Sequence, residues 1–305
     1  MMNNIITTTD LTKFYGKQRA CEKINIHVKK GEIYGLIGRN GAGKTTILRI
    51  ISGLSYATGG EYSINGKRGK ELAAEKRQIG TLIEAPGLFP DMTAYENLKI
   101  KCIAVGKNDK EYIYDLLSLV GLKNAADKKT KQFSLGMRQR LGIALALAGD
   151  PDIIILDEPI NGLDPQGIVE IREILFKLSK EKNITIILSS HILDELSKIA
   201  DSYGIIHEGF LLEEMTAEQL NEKCGEFIVL RTDENQKAAE ILKEMNITKF
   251  TFVDEFTIKI TSSDIETENI VEKLVSAGIK VKEIFINRLT LEEYYLSRTG
   301  GANNA

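Results

Sequence analysis

The sequence is poor in the features that mark disulfide-rich, zinc-binding and membrane-spanning proteins. Its 305 residues include no tryptophan and only three cysteines, Cys21, Cys102 and Cys224. Cysteines so few, odd in number and far apart argue against a disulfide framework or clustered zinc ligands, and fit a reducing compartment. No apolar run approaches the ~20 residues of a bilayer-spanning helix, and residues 1–10 lack a signal-peptide pattern. Any membrane role is therefore expected to depend on a partner.

Neither sign of charge dominates the chain. Its 40 basic and 43 acidic side chains give a formal net charge of −3. A surface that binds nucleic acid needs a basic excess, so no nucleic-acid partner is predicted. The length allows one large core or two modest ones, and the apolar patterns indicate two unequal domains.

The first domain is predicted at residues 1–215 with an α/β fold. Apolar alternation at residues 24–28 indicates antiparallel strands early in the chain. Buried parallel strands, each followed by a helical pattern, are predicted from compact apolar runs at residues 33–37, 153–156 and 184–188. Thr93 and Glu96 form a candidate capping box in a helical insert at about 88–150.

A second, smaller domain is predicted at residues 226–300, after a linker at 216–225. Strand patterns lie at residues 227–230, 249–253, 256–260 and 279–286, and helical patterns at 237–245 and 267–277. Their order predicts a small α+β domain of βαββαβ type. Residues 301–305 are interpreted as a frayed tail.

A glycine-rich loop follows the first compact apolar run. It matches the P-loop pattern, in which successive backbone N–H groups surround phosphates at a helix N-terminus. The predicted cradle comprises Gly38, Arg39, Asn40, Gly41, Ala42, Gly43, Lys44, Thr45 and Thr46. Lys44 is expected to reach the β- and γ-phosphates, and Thr45 to give its hydroxyl to Mg²⁺. A chance glycine-rich turn is disfavoured by the strand before it and the helix after it.

Two adjacent acids follow the second compact apolar run. The strand at residues 153–156 delivers Asp157 to its carboxyl end, where a carboxylate can organise Mg²⁺ and its waters. Glu158 comes next and is the candidate general base. A merely solvated strand end is the alternative, but it does not explain an acid pair after so apolar a strand.

Three further motifs underlie a resemblance to a known family. Residues 133–139 read Phe-Ser-Leu-Gly-Met-Arg-Gln and open a helix, residues 161–164 read Asn-Gly-Leu-Asp, and His191 follows the next strand. Together with the P-loop and the acid pair, and in this order, they make residues 5–215 resemble an ABC ATPase. The resemblance implies a P-loop ABC ATPase fold, with a RecA-like parallel core, an antiparallel β subdomain and a helical subdomain.

The resemblance also implies ATP as the nucleotide and a composite site shared by two subunits. In the family the signature of one subunit caps the ATP held by another, so Ser134 and Gly136 are expected to act in trans. The active unit is then a head-to-tail dimer, taken here as a homodimer, and Asp164 resembles the residue that links its two sites. An ordinary N-capped helix is the alternative interpretation of Ser134.

Two more residues take roles from the family. His191 resembles the switch histidine that hydrogen-bonds the γ-phosphate or the attacking water, so Lys44, Glu158 and His191 are the expected catalytic residues of an ATPase. Tyr15 resembles the aromatic residue that stacks on adenine. Stacking is a plausible use of a tyrosine ring, because the face of the ring does not depend on the exact edges of the base. A packed loop tyrosine is the alternative for Tyr15.

Two positions depart from the usual ABC pattern. Glu84 stands where most ABC ATPases have glutamine, and Leu135 stands where the signature usually has glycine. Both departures resemble the bacitracin-resistance and lantibiotic-immunity exporters of Gram-positive bacteria, which implies export of antimicrobial peptides. Glu84 is expected to join Thr45 and Asp157 around Mg²⁺, because a carboxylate can accept from metal-bound water. A charged surface-loop residue is the alternative for Glu84.

The family further implies transmembrane permease subunits as partners, contacted through the helical insert. The chain is then expected at the cytoplasmic side of a bacterial plasma membrane as a peripheral subunit. Other functions stay open: the ATPase subunit of an importer or of a general drug exporter, and a soluble ABC ATPase that acts on DNA or ribosomes. The sequence has neither the long coiled coil nor the paired cassettes that such soluble ATPases use. A regulatory cassette without hydrolysis is disfavoured because the catalytic residues are intact.

Overall fold

The computed structural model describes residues 4–75, 78–223, 226–261 and 266–300. Cys224 and the predicted tail at 301–305 lie outside the described residues. The strands, in chain order, are β1 (Asn4–Tyr15), β2 (Gln18–Ile24), β3 (His27–Lys29), β4 (Ile33–Ile37), β5 (Gly59–Ile64), β6 (Ile79–Leu82), β7 (Ile153–Asp157), β8 (Thr185–Ser190), β9 (Ser202–His207), β10 (Phe210–Thr216), β11 (Glu226–Thr232), β12 (Phe250–Phe252), β13 (Thr257–Ile260) and β14 (Val281–Arg288). The α-helices are α1 (Lys44–Ile51), α2 (Leu72–Glu75), α3 (Ala94–Ala104), α4 (Lys110–Leu119), α5 (Leu135–Leu147), α6 (Pro165–Lys180), α7 (Leu193–Leu196), α8 (Ala217–Lys223), α9 (Asn235–Glu244), α10 (Thr267–Ser276) and α11 (Leu291–Arg298).

Internal contacts divide the chain into two compact units, Met1–Ala217 and Glu218–Ala305. The stretch predicted as a linker, 216–225, carries helix α8, and residues 224–225 lie outside the described part of the chain. The division between the units therefore falls at the start of a helix. Within the described ranges no helix is both long and apolar enough to span a membrane.

A six-stranded sheet forms the centre of the first unit. Its order is β10-β9-β4-β8-β7-β6, and neighbouring strands are parallel except for β10, which is antiparallel to β9. Every residue of β4, β7 and β8 is buried, as expected for isoleucine-rich strands covered on both faces. The predicted parallel α/β core is thus confirmed. Residues that follow β4, β7 and β8 meet at one edge of this sheet, because parallel strands end on the same side.

The first unit has two further parts, an antiparallel sheet and a helical insert. Strand β1 pairs with β2, β3 and β5 in an antiparallel sheet whose apolar side chains share a buried core with α1. The helical insert predicted at about 88–150 holds α3, α4 and α5. Thr93 forms the predicted capping box with Glu96 at the start of α3, and Asp109 caps α4.

The second unit starts with most of α8, continues in the order β11-α9-β12-β13-α10-β14, which is βαββαβ, and then has α11. Its antiparallel sheet has the order β12-β13-β11-β14, and its core includes Ile228, Leu242 and Ile258. Helix α11 was not predicted, although its start carries a capping box between Thr290 and Glu293. A threonine followed three residues later by glutamate predicts the start of α3, and the same pattern at residues 290–293 is a signal for the start of α11.

Candidate active site

The glycine-rich loop connects the end of β4 to the start of α1. Gly43, immediately before α1, has a φ of 111°, and a Cβ there would clash with the carbonyl oxygen of Ala20. A Cβ at Gly38 would lie 2.5 Å from the carbonyl oxygen of Ile206. Any other residue at these two positions would displace the neighbouring backbone, which glycine avoids. The two glycines thus permit a tight loop that leads directly into the N-terminus of α1.

A cleft of about 290 Å³ opens beside this loop. It is lined by Tyr15, Gln18, Arg19, Ala20, Asn40, Gly41, Ala42, Gly43, Lys44, Thr45, Thr46 and Glu158. Most of the residues predicted to contact the nucleotide therefore border one cavity. Gln18 and Arg19 were not predicted, although their place just after the turn that follows Tyr15 was a usable signal.

Lys44 is held by the loop to which it belongs. Its side chain is 5% exposed, and Nζ donates to the carbonyl oxygens of Gly38 at 2.6 Å and Arg39 at 3.3 Å. Nζ also lies 3.1 Å from Glu158 Oε1. The cleft wall therefore carries the positive charge of Lys44. A phosphate oxygen could take the place of the Glu158 carboxylate beside this charge.

Thr45 and Asp157 meet at the edge of the sheet. The Thr45 hydroxyl donates to Asp157 Oδ2 at 2.8 Å, and the Ser189 hydroxyl donates to Asp157 Oδ1 at 2.6 Å. Hydroxyl and carboxylate oxygens are ligands that Mg²⁺ prefers, so Thr45 and Asp157 fit this ion. The described residues contain no group of three or more His, Cys, Asp or Glu side chains that could hold a metal. The remaining Mg²⁺ ligands would therefore come from the nucleotide and water.

Glu158 stands between a lysine and a histidine. Its φ of 50° is in the left-handed region that non-glycine residues rarely occupy, and its N–H donates to Ser189 Oγ at 2.9 Å. Oε2 pairs with His191 Nδ1 at 2.7 Å. Oε1 is buried and accepts no hydrogen bond of good geometry, although Lys44 Nζ is close. Glu158 therefore contacts both of the other expected catalytic side chains, and one of its carboxylate oxygens retains capacity to accept from water.

Tyr15 ends β1 at the rim of the cleft. Its side chain is 48% exposed, and Lys13 Nζ lies 4.9 Å from the centroid of its ring. This exposure disfavours the alternative of a packed loop tyrosine. A ring at this place can stack on the base of a nucleotide whose phosphates lie at the loop.

Glu84 is not brought into the cluster. It follows β6 with a φ of 66°, and its carboxylate, which is 64% exposed, forms an ion pair with Arg49 in the last turn of α1. Glu84 is absent from the described residues that border the cleft. Its predicted contact with Mg²⁺ would require the carboxylate to leave Arg49.

Ser134, Gly136 and Asp164 form a second group, outside the set of described residues that line the cleft of their own chain. Ser134 immediately precedes α5 and Asp164 immediately precedes α6, and each side chain accepts a backbone N–H of its helix at 3.2 Å. Both residues therefore act as N-caps in this single chain. The two helix starts adjoin, because a Cβ at Gly162 would lie 3.2 Å from Leu135 Cδ2. The predicted role of this group requires the cleft of another subunit.

Sequence reasoning missed Ser189, which contacts both acids. The available signal was a hydroxyl side chain that follows three apolar residues of a predicted buried strand, two positions before His191. Strand β8 pairs with β7 so that Ser189 faces Asp157 in register. The register between two parallel strands was not available from the sequence alone.

Comparison with known proteins gives a consistent result. The family model described as ABC transporter matches residues 21–161. The bacitracin transport ATP-binding protein BcrA of Bacillus licheniformis is 42% identical, over 98% of this chain and 99% of the relative. The lantibiotic transport ATP-binding protein SrtF of Streptococcus pyogenes is 44% identical, over 67% of this chain and 88% of the relative.

Solved structures of ABC cassettes resemble about 70% of this chain in fold. The ATP-binding subunit of an ABC transporter is 34% identical with a TM-score of 0.62, over 72% of this chain and 92% of that chain. A dimeric, post-hydrolysis ATP-binding cassette bound to ADP and Pi is 27% identical with a TM-score of 0.62, over 70% of this chain and 98% of that chain.

Proposed function

The chain belongs to the ABC transporter family, and on that premise we propose that it is the ATPase subunit of an exporter of antimicrobial peptides of the bacitracin or lantibiotic type. Cassettes of this family hydrolyse ATP to ADP and phosphate. The observation that carries the peptide assignment is the similarity to a bacitracin transport protein over 98% of this chain, the second unit included. The similarity to a lantibiotic transport protein supports the same class over 67% of the chain.

ATP would bind by replacing a contact that the site already makes. The γ-phosphate takes the place of Glu158 Oε1 beside Lys44, which lies 3.1 Å from that oxygen. The loop N–H groups then surround the β-phosphate, and Tyr15 stacks on adenine at the rim. When bound by Thr45 and Asp157, Mg²⁺ would neutralise charge that develops on the phosphates.

Loss of its contact with Lys44 would free Glu158 to act on water. Its backbone stays fixed through the hydrogen bond to Ser189, and its second oxygen stays 2.7 Å from His191 Nδ1. Glu158 orients or deprotonates the water that attacks the γ-phosphate, and His191 hydrogen-bonds the γ-phosphate or that water.

The site would be completed by a second subunit in head-to-tail orientation. Ser134 and Gly136 lie at the start of α5, and a helix N-terminus offers N–H groups and a favourable dipole to a phosphate. The exposed start of α5 in this single chain supports a role in trans, with Asp164 beside it as the link between two sites. The helical insert would pass the resulting motion to transmembrane subunits at the cytoplasmic side of the membrane.

The dimer proposal can be tested by mixing two inactive variants. Lys44→Ala disables a subunit's own loop, and Ser134→Arg disables the contribution of its signature to the partner. In a head-to-tail dimer of the two variants, one site combines an intact loop with an intact signature. Recovery of ATPase activity in the mixture supports the arrangement, whereas a mixture as inactive as each variant contradicts it.

The export proposal requires a test in cells. The chain is first crosslinked in membranes to identify its transmembrane partner, and the pair is then expressed in a peptide-sensitive Gram-positive host. The wild-type chain should raise the inhibitory concentration of bacitracin or a lantibiotic several-fold, and Lys44→Ala should not. Protection against small drugs but not peptides would replace the proposal with a general drug exporter. Crosslinking to ribosomes or DNA instead would favour the soluble ATPase.

A further inference from the structure

Ser189 is a fully buried hydroxyl beside the acid pair. It is 0% exposed and follows three apolar residues of β8. Strand β8 pairs in parallel with β7, with Ser189 opposite Asp157, the last residue of β7. A fully buried hydroxyl is unfavourable unless its hydrogen bonds are satisfied, so its contacts decide its role.

The single hydroxyl contacts both acids in different ways. The Glu158 backbone N–H can only donate, and it reaches Ser189 Oγ at 2.9 Å. The serine proton is therefore available for Asp157 Oδ1, which lies 2.6 Å from Oγ. Ser189 thus uses its one proton on Asp157 and one lone pair on Glu158.

These two bonds fix the orientation of both acids. Since Thr45 donates to Oδ2 of Asp157 and Ser189 donates to Oδ1, the plane of the Asp157 carboxylate is set from both sides. The bond from the Glu158 N–H holds the peptide that enters the left-handed turn at φ 50°. That turn directs the Glu158 side chain to Lys44 and His191.

We propose that Ser189 is a positioning residue for ATP hydrolysis. Ser189 orients Asp157 for Mg²⁺, and it holds the backbone that directs Glu158 towards the attacking water. The inference rests on the proposed function of this cleft, and it assigns Ser189 no contact with ATP. Ser189 acts through the two acids, so its loss should change the chemical step and the Mg²⁺ requirement more than the binding of the nucleotide.

Ser189→Ala tests this role because it removes the hydroxyl and adds no bulk. We expect kcat to fall about 10- to 100-fold, the scale of one or two lost hydrogen bonds around a charged group. The KM for ATP should change by less than about threefold, since Lys44 and the loop are untouched. The Mg²⁺ concentration for half-maximal activity should rise, because Asp157 loses one of its two fixed contacts.

Thr185→Val is the matched control on the same strand. Thr185 is also 0% exposed, and its hydroxyl accepts the Gly31 N–H at 2.9 Å at the opposite end of β8. Both variants remove one buried hydroxyl that accepts a backbone N–H. They should lower the melting temperature by similar amounts, but only Ser189→Ala should change kcat and the Mg²⁺ requirement.

The experiment combines steady-state phosphate release with Mg²⁺-dependent binding of a fluorescent ATP analogue. Equal kcat and Mg²⁺ dependence in wild type and Ser189→Ala would overturn the inference, and so would equal losses of kcat in Ser189→Ala and Thr185→Val. If the wild type releases no phosphate, the proposed function of the isolated chain fails on its own. The binding measurement then decides. If Ser189→Ala needs the same Mg²⁺ concentration as wild type for half-maximal binding of the analogue, the inference is overturned. If Ser189→Ala needs a higher Mg²⁺ concentration, the inference is supported.

Discussion

Replacing Glu158 by glutamine should separate nucleotide binding from hydrolysis. The substitution keeps the size and shape of the side chain and removes its negative charge. One oxygen of this carboxylate lies 3.1 Å from Lys44 Nζ, and the other lies 2.7 Å from His191 Nδ1. One change therefore removes the candidate base and the counterion of the phosphate-binding lysine.

The effect on turnover follows from the role of a base. An amide oxygen cannot take a proton from water at neutral pH, so Glu158→Gln should lower kcat by at least ~10²-fold, or about 2.7 kcal/mol of transition-state stabilisation. The substituted side chain can still accept from His191. The backbone turn at residue 158 should also persist, because it depends on the hydrogen bond to Ser189.

The effect on binding follows from the ion pair. Lys44 is 5% and Glu158 19% exposed, and Lys44 keeps two carbonyl partners when the carboxylate is lost. A net contribution of about 1–2 kcal/mol is reasonable for such a pair. Because ATP no longer has to displace a carboxylate from Lys44, it should bind about 5- to 30-fold more tightly to the variant. Without nucleotide, the variant should be less stable by a similar amount.

Phosphate release, titration with a fluorescent ATP analogue and thermal denaturation measure the three effects. Glu181→Gln, which alters an exposed glutamate at the end of α6, is the control and should leave all three unchanged. Undiminished hydrolysis by Glu158→Gln would remove Glu158 from the role of base. Unchanged ligand-free stability together with unchanged affinity would refute the account of the Lys44 pair.

Three further predictions concern residues around the cleft. Tyr15→Ala should weaken ATP binding by about 1–3 kcal/mol in equilibrium titration while Tyr15→Phe retains affinity, and equal affinity of all three chains would exclude stacking. Glu84→Ala removes an exposed ion pair with Arg49, so it should change unfolding free energy by only about 0.2–1 kcal/mol and leave the Mg²⁺ requirement of the isolated chain unaltered. A raised Mg²⁺ requirement would show that Glu84 leaves Arg49 for the metal. Burial raises the pKa of the Cys21 thiol from 9.0 to about 11, so its contribution to stability is full below pH 9.0 and declines as pH rises to about 11. Denaturant unfolding at graded pH should show a smaller decline in Cys21→Ala, and an identical decline would contradict this.

The sequence predicted the parts of the site that depend on local pattern. Glycines at positions 38 and 43 signal a loop that no larger residue could form, and an apolar strand that ends in Asp157 signals a carboxylate at the sheet edge. The compact apolar runs located β4, β7 and β8 of the parallel core. Each of these patterns spans only a few neighbouring residues, and few local structures are compatible with it.

The contacts that the sequence could not predict join distant segments through side-chain geometry. Glu84 and Arg49 belong to different elements and meet through long, flexible side chains, so their pairing is not encoded by spacing. The link from Ser189 to Asp157 depends on the register between β7 and β8, which isoleucine-rich strands of uniform burial do not reveal. For Ser134 the sequence predicts a role in trans, with an N-cap as the alternative. In the single chain its hydroxyl accepts the Met137 N–H, which is the N-cap contact.

The central claim is that the cleft beside Lys44 hydrolyses ATP. Steady-state phosphate release tests it most directly, measured with ATP and Mg²⁺ for the purified full-length chain and for its Lys44→Ala variant. Lys44 links the loop carbonyls to Glu158, so its loss should remove both phosphate recognition and turnover. Activity in the wild type that Lys44→Ala abolishes is the predicted result. Equal phosphate release by the two chains would contradict the account.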